Sequence, residues 1–123
     1  MFVNDSQESI RYLFKARKAL EQGDFAAAKA HAEFVLNLNP SPSYEALNIL
    51  GICFVEYKEY IEALACFDAS LIIQPKQTEA RLNRAKALVL LGKRLNLKPL
   101  DTGAFGEETL GCAIFVREDD KND

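Results

Sequence analysis

Apolar residues recur at three- and four-residue intervals along most of the chain, and short polar, glycine or proline breaks divide them into five helical blocks. In the first block Ile10, Leu13, Phe14, Ala16 and Leu20 recur at helical spacing, with Asp5 placed to cap it and Glu8 at the capping-box position. Gly23 predicts a stop, and Asp24 can cap the second block, whose stripe is Phe25, Ala28, Ala32, Val35 and Leu36. Pro40 and Pro42 end that block, because proline and the residue before it both resist helix. The spacing then predicts helices from about Tyr44 to Tyr57, from about Tyr60 to Ile73 with Pro75 closing, and from about Thr78 to Leu91 ending at Gly92. Breaks this short force successive helices to pack as antiparallel neighbours.

The blocks repeat. Gly23-Asp24-Phe25-Ala26-Ala27-Ala28 aligns with Lys58-Glu59-Tyr60-Ile61-Glu62-Ala63 at an offset of 35, and the same offset carries Leu36–Pro40 onto Leu71–Pro75 and Ala16 onto Gly51. One helix pair cannot bury its apolar stripe alone, whereas stacked pairs share a core. The second unit reads Leu47-x2-Leu50-Gly51-x2-Phe54, then Ala63-x3-Phe67, then Pro75. This resembles the tetratricopeptide repeat family, whose pattern is W-x2-L-G-x2-Y, A-x3-F, P. The small Gly51 and Ala63 would let two helices approach, and Leu47, Leu50, Phe54 and Phe67 would fill the space between pairs. The first repeat keeps Ala16, Gly23, Phe25, Ala28 and Pro40 but carries Lys15 and Ala19 where large apolar residues are usual, and the third loses the pattern after Gly92-Lys93.

The resemblance implies an all-α, right-handed solenoid of antiparallel helix pairs, about five helices followed by a non-repeat C-terminal tail. The expected organisation is a helical repeat domain over 1–93, with repeats at about 9–42 and 44–77 and a partial repeat at 78–93, then an irregular tail over 94–123 that is acidic at its end. In this family the first helix of each pair lines a concave groove that holds a protein segment. The groove residues implied are Leu13, Arg17 and Leu20 in the first repeat, then Glu45, Asn48, Ile52, Val55 and Glu56, then Glu79, Leu82, Lys86 and Val89. Their mixture suits an amphipathic or extended apolar segment; the same apolar residues would also serve to bury the chain's own tail.

Composition leaves this reading in place. Hydrophobic residues make up 49% and charged residues 27%, as in ordinary folded domains. A net charge of −3 gives no electrostatic reason for nucleic-acid or anionic-membrane binding. No apolar run is long enough to cross a membrane, and the N-terminus lacks a secretory-signal pattern. Cys53, Cys66 and Cys112 are an odd, sparse set that points to reduced thiols and a cytoplasmic setting. His31, the single histidine, has no ligand-spaced companion and reads as a surface residue, while Cys53 and Cys66 read as packing. No phosphate loop or paired-carboxylate cleft is visible, so neither enzyme activity nor a cofactor is expected. Arg11, Lys15, Lys18 and Lys29 give the first pair a positive, solvated face, with a weak docking patch as the sharper alternative.

From Arg94 the helical face is lost: Pro99 breaks helix, Asp101-Thr102-Gly103 reads as a turn, and the apolar run Leu110–Val116 reads as a short strand or a poor helix. The tail could cap the last helix, act as a docking arm, or reflect a truncated or frameshifted third repeat. Leu82, Ala85, Leu88, Val89 and Leu91 on the fifth helix need cover, from the tail, a partner, or a second copy in a homodimer. The function expected is a scaffold or adaptor for a protein segment; a small client-specific chaperone and a truncated or regulatory fragment of a larger repeat protein are the alternatives. One branch of the family grips acidic chaperone tails with lysine, arginine and asparagine, but here the matching positions hold Leu13, Arg17, Ile49, Glu79 and Asn83. Isothermal titration with an acidic chaperone C-terminal peptide is therefore expected to show no saturable binding.

Overall fold

In the computed structural model, which describes residues 5–38, 42–99 and 115–117, the chain forms five helices and a two-stranded ribbon. The helices are α1 (Asp5–Glu21), α2 (Phe25–Leu38), α3 (Tyr44–Glu56), α4 (Tyr60–Ile73) and α5 (Thr78–Arg94). The strands β1 (Leu97–Pro99) and β2 (Phe115–Arg117) pair antiparallel, with Lys98 opposite Val116. The strand alternative read for the run ending at Val116 thus holds for its last two residues; residues 100–114 and 118–123 lie outside the described set.

The backbone turns follow from residue chemistry. After α1 the Asp24 N–H donates to the Ala19 carbonyl and the Gly23 N–H to that of Leu20, a helix stop that needs left-handed backbone at Gly23, whose φ is 76°. Asp24 Oδ1 then accepts the Ala27 N–H at 3.1 Å and caps α2 as its side chain predicts. The same two bonds recur after α3, from Glu59 to Phe54 and from Lys58 to Val55, with Lys58 in the left-handed place at φ 62°. Ser43, which the spacing leaves unassigned, caps α3 by accepting the Ala46 N–H at 3.2 Å. Asp5 lies inside α1 as its first residue, and Glu8 pairs with Arg11 at 3.4 Å.

The fifth helix departs from its expected length. Gly92 predicts a stop, yet α5 continues to Arg94 and the left-handed residue is Asn96, at φ 59°. Gly92 is buried within the helix, and Lys93 and Arg94 place two cations in the last turn, where the helix dipole favours them. A glycine in a helix costs about 1 kcal/mol, which burial and dipole can offset. The hairpin that Gly23 and Lys58 make in the first two repeats is therefore not made at the corresponding place in the third.

Helices pack as antiparallel pairs, α1 with α2 and α3 with α4, and α2–α3 and α4–α5 join them into one stack. α1 also meets α3, and α3 meets α5, whereas α2 and α4 barely touch. The odd-numbered helices therefore form the closer, inner wall. The first core cluster joins Ala16, Ala28, Ala32 and Val35 to Ala46, Ile49 and Cys53 across the α2–α3 seam; a second joins Ala63 and Phe67 to Ala87.

α3 and α4 approach closely at Gly51. A Cβ built on Gly51 would lie 2.6 Å from Phe67 Cε1 and 2.8 Å from its Cζ, and Phe67 is fully buried. The corresponding first-repeat residues are Ala16 and Ala32, so the extra methyl on α1 coincides with a much smaller partner on α2. Gly51→Ala is expected to destabilise the chain by about 1–3 kcal/mol through overpacking, and Phe67→Ala by about 3–5 kcal/mol. In the Phe67→Ala background the methyl has room, so Gly51→Ala should become neutral or stabilising, as helix propensity alone would make it. Urea unfolding of the four proteins checks this cycle.

Candidate partner-binding groove

A concave cleft of about 470 Å³ lies on the inner wall, between the ends of α1, α3 and α5. Arg17, Leu20 and Glu21 line it from α1; Tyr44, Glu45, Asn48, Ile49 and Ile52 from α3; Gln77, Thr78 and Glu79 from the entry to α5. Of the implied groove residues the cleft brings together Arg17, Leu20, Glu45, Asn48, Ile52 and Glu79. Leu13 does not line it and packs half-buried against the first core cluster; Val55 packs against the second. Ile52 both lines the cleft and touches the second cluster. Leu82 and Val89 stand 55% and 39% exposed on α5, with Lys86 also exposed, outside the cleft. On the same helix Ala85, Leu88 and Leu91 are half-buried, so its open apolar face is narrower than the spacing implies.

Two side-chain links cross the inner wall. Arg17 of α1 forms an ion pair with Glu45 of α3. Both partners are well exposed, so the pair orients the guanidinium more than it stabilises the fold, which such pairs do by at most about 1 kcal/mol. It also takes up one of the two side chains with which an acidic tail could be gripped, and Ile49, at another of those positions, is buried.

The second link is a clasp centred on Gln77. Its Nε2 donates to the Ser70 carbonyl at 3.1 Å, to Ser70 Oγ at 3.0 Å and to the Gln74 carbonyl at 2.7 Å, while its Oε1 accepts from Asn48 Nδ2 at 2.7 Å. Ser70, fully buried, donates in turn to the Tyr44 carbonyl at 3.2 Å. One glutamine thus ties the end of α4, the inter-repeat turn and the groove face of α3. Helical periodicity does not single out Gln77, because it lies just before α5 and contributes to no stripe; a polar side chain at that junction is the only signal it leaves.

The basic residues of the first pair are engaged locally. Arg11 pairs with Glu8, the Lys15 and Lys18 ammonium groups lie over the Tyr12 and Phe14 rings, and Lys29 lies over Phe54 and 3.9 Å from Glu33. His31 is half-buried beside Tyr12, ring centroids 5.7 Å apart, rather than on the open surface. Among the described residues no group of histidine, cysteine or carboxylate side chains is gathered to hold a metal ion, and no helix is long and apolar enough to cross a membrane.

No family model matches the chain, and no curated protein matches it. A solved structure does: a mutant O-GlcNAc transferase from Thermobaculum terrenum, at 26% identity and a TM-score of 0.67. The alignment covers 72% of this chain and 17% of that one. The chain therefore has the fold of a helix-pair solenoid of tetratricopeptide type, and it spans about a sixth of the length of that relative. Such folds generally bind protein partners.

Cys53 and Cys66 are buried, and their thiols are pushed up to about 11, in both cases chiefly by desolvation, with nearby carboxylates adding to it and Lys29 opposing it at Cys53. At neutral pH both stay protonated, as packing residues do. Because each thiol titrates higher when folded, the stability tied to its neutral form is complete below the unfolded value near 9 and is lost as pH rises towards 11. Urea midpoints should fall across that window. Cys53→Ala with Cys66→Ala should fall less steeply, which comparison of the two pH profiles checks.

Proposed function

We propose that this chain is a protein-interaction scaffold that holds a partner segment along the inner wall of α1, α3 and α5, without catalysis and without a cofactor. The observation that supports it best is the cleft itself: three successive inner helices and one inter-repeat turn converge on a recess whose lining is part apolar, from Leu20, Ile49 and Ile52, and part polar. An apolar floor with a few convergent polar groups is what a short segment needs for affinity and for register. Lys86, Leu82 and Val89 extend the same wall along α5 and are open to the remainder of a segment longer than the cleft.

A second reading has one finding in its favour. The solved relative is an enzyme in which the matching part is 17% of the chain, so a repeat unit of this kind can form part of a catalytic assembly. In that reading the groove holds a substrate or a regulatory segment on behalf of a catalytic polypeptide.

Affinity capture with the purified chain, read by mass spectrometry, tests both. The scaffold reading expects a reproducible partner that Asn48→Ala combined with Ile52→Glu loses at least about tenfold, since a buried charge in an apolar recess costs more than 1.4 kcal/mol. Leu82→Glu, at an exposed site that cannot disturb the core, should weaken capture less. Circular dichroism confirms that each variant is folded. Equal capture by wild type and both variants would remove the groove from the mechanism, and a catalytic polypeptide as the dominant partner would select the second reading.

A further inference from the structure

The polar groups of the cleft are unbalanced, and the imbalance identifies the chemistry of what it holds. Three carboxylates line it, from Glu21, Glu45 and Glu79, against one cation, Arg17. Arg17 is already paired with Glu45. Glu21 and Glu79, on the α1 and α5 sides of the cleft, have no cation within ion-pair reach among the described residues.

Asn48, which lines the same cleft, holds a further acceptor within the clasp. Gln77 must turn its amide nitrogen towards the Ser70 and Gln74 carbonyls, so its Oε1 faces Asn48. Asn48 must therefore present Nδ2 to it, which leaves Asn48 Oδ1 out of contact with solvent and without a hydrogen-bond partner. A buried acceptor left unmet is unfavourable, so the clasp carries a polar cost on the cleft's α3 side. One N–H of Asn48 and the amide nitrogen of Gln77 are used within the clasp, and Arg17 Nη2 faces Glu45; the Tyr44 and Thr78 hydroxyls can act either way.

We infer that the segment held in this cleft carries a lysine or arginine set among apolar residues. This deepens the scaffold reading and rests on it. The cationic side chain supplies several donors and no acceptor, matching Glu21 and Glu79 in both charge and hydrogen-bond sense. Its apolar neighbours lie on Leu20 and Ile52. Exposed carboxylates are screened by salt, so the selectivity is strongest at low ionic strength.

The test uses three labelled peptides of one design, with leucine and isoleucine at helical spacing and the remaining positions all lysine, all glutamine or all glutamate. Fluorescence anisotropy against the full chain should rank them lysine, glutamine, glutamate, with about fivefold or more between the first two at low salt. Glu21→Gln combined with Glu79→Gln should bring lysine and glutamine peptides within about twofold of each other, chiefly by weakening the lysine peptide. If lysine preference survives in that variant, the cation binds elsewhere and the inference is overturned. If the three peptides bind alike and Ile52→Glu abolishes all of them, the groove stands and its charge selectivity does not. If no peptide binds, or Ile52→Glu changes nothing, the groove reading falls and takes this inference with it.

Discussion

The close approach of α3 to α4 at Gly51 is the contact on which the stack depends. Phe67 occupies the space where a side chain on residue 51 would be, so the helix axes can draw together and the ring is removed from water entirely. Burying a ring of this size stabilises the fold by roughly 1.5–3 kcal/mol. The same ring belongs to the cluster that includes Ala63 and Ala87, so the α3–α4 approach also seats α5. With α5 seated, the turn before it brings Gln77 against Ser70 and Asn48, and the cleft acquires its third side.

The first repeat reaches a comparable packing by the opposite allocation of volume. It has Ala16 for glycine and Ala32 for phenylalanine, both fully buried, and draws its bulk from Val35 and from Ile49 and Leu50 of the next pair. Two units with one backbone plan therefore accommodate different side chains, the first filling its seam with residues of the next pair where the second uses one large ring. That is why a strict family pattern is clear in only one of the two.

Much of this was legible in the residues because helix termination is local chemistry. Gly23, Asp24, Pro75 and the apolar spacing each act within a turn of where they stand, and the starts and pairings of the helices follow from them. Gly92 was misleading for the same reason: a glycine signals a stop only if nothing favours continuation, and the burial of that glycine is decided by a tertiary contact that periodicity does not contain. Which side chains line the cleft was legible where the repeat offset fixes the face, as for Arg17, Glu45, Asn48 and Ile52. It was not legible for Leu13 and Val55, which pack half-buried against the core clusters away from the cleft, nor for Gln77, whose role depends on carbonyls seven and three residues earlier.

α5 runs past Gly92, and among the described residues the inner wall has three helices and the outer layer two. Among the described residues α1 and α3 are each backed by a helix of their own hairpin, whereas α5 is seated by α4 and α3 and meets β1. A helix supported unequally opens more readily than one held on both flanks, so slow amide exchange should be concentrated in α3 and α4 and relaxed towards the outer edge of α5. The two ends of the wall, α1 and α5, would then yield before α3, which is flanked by helices on either side, and a guest of greater girth would be accommodated there.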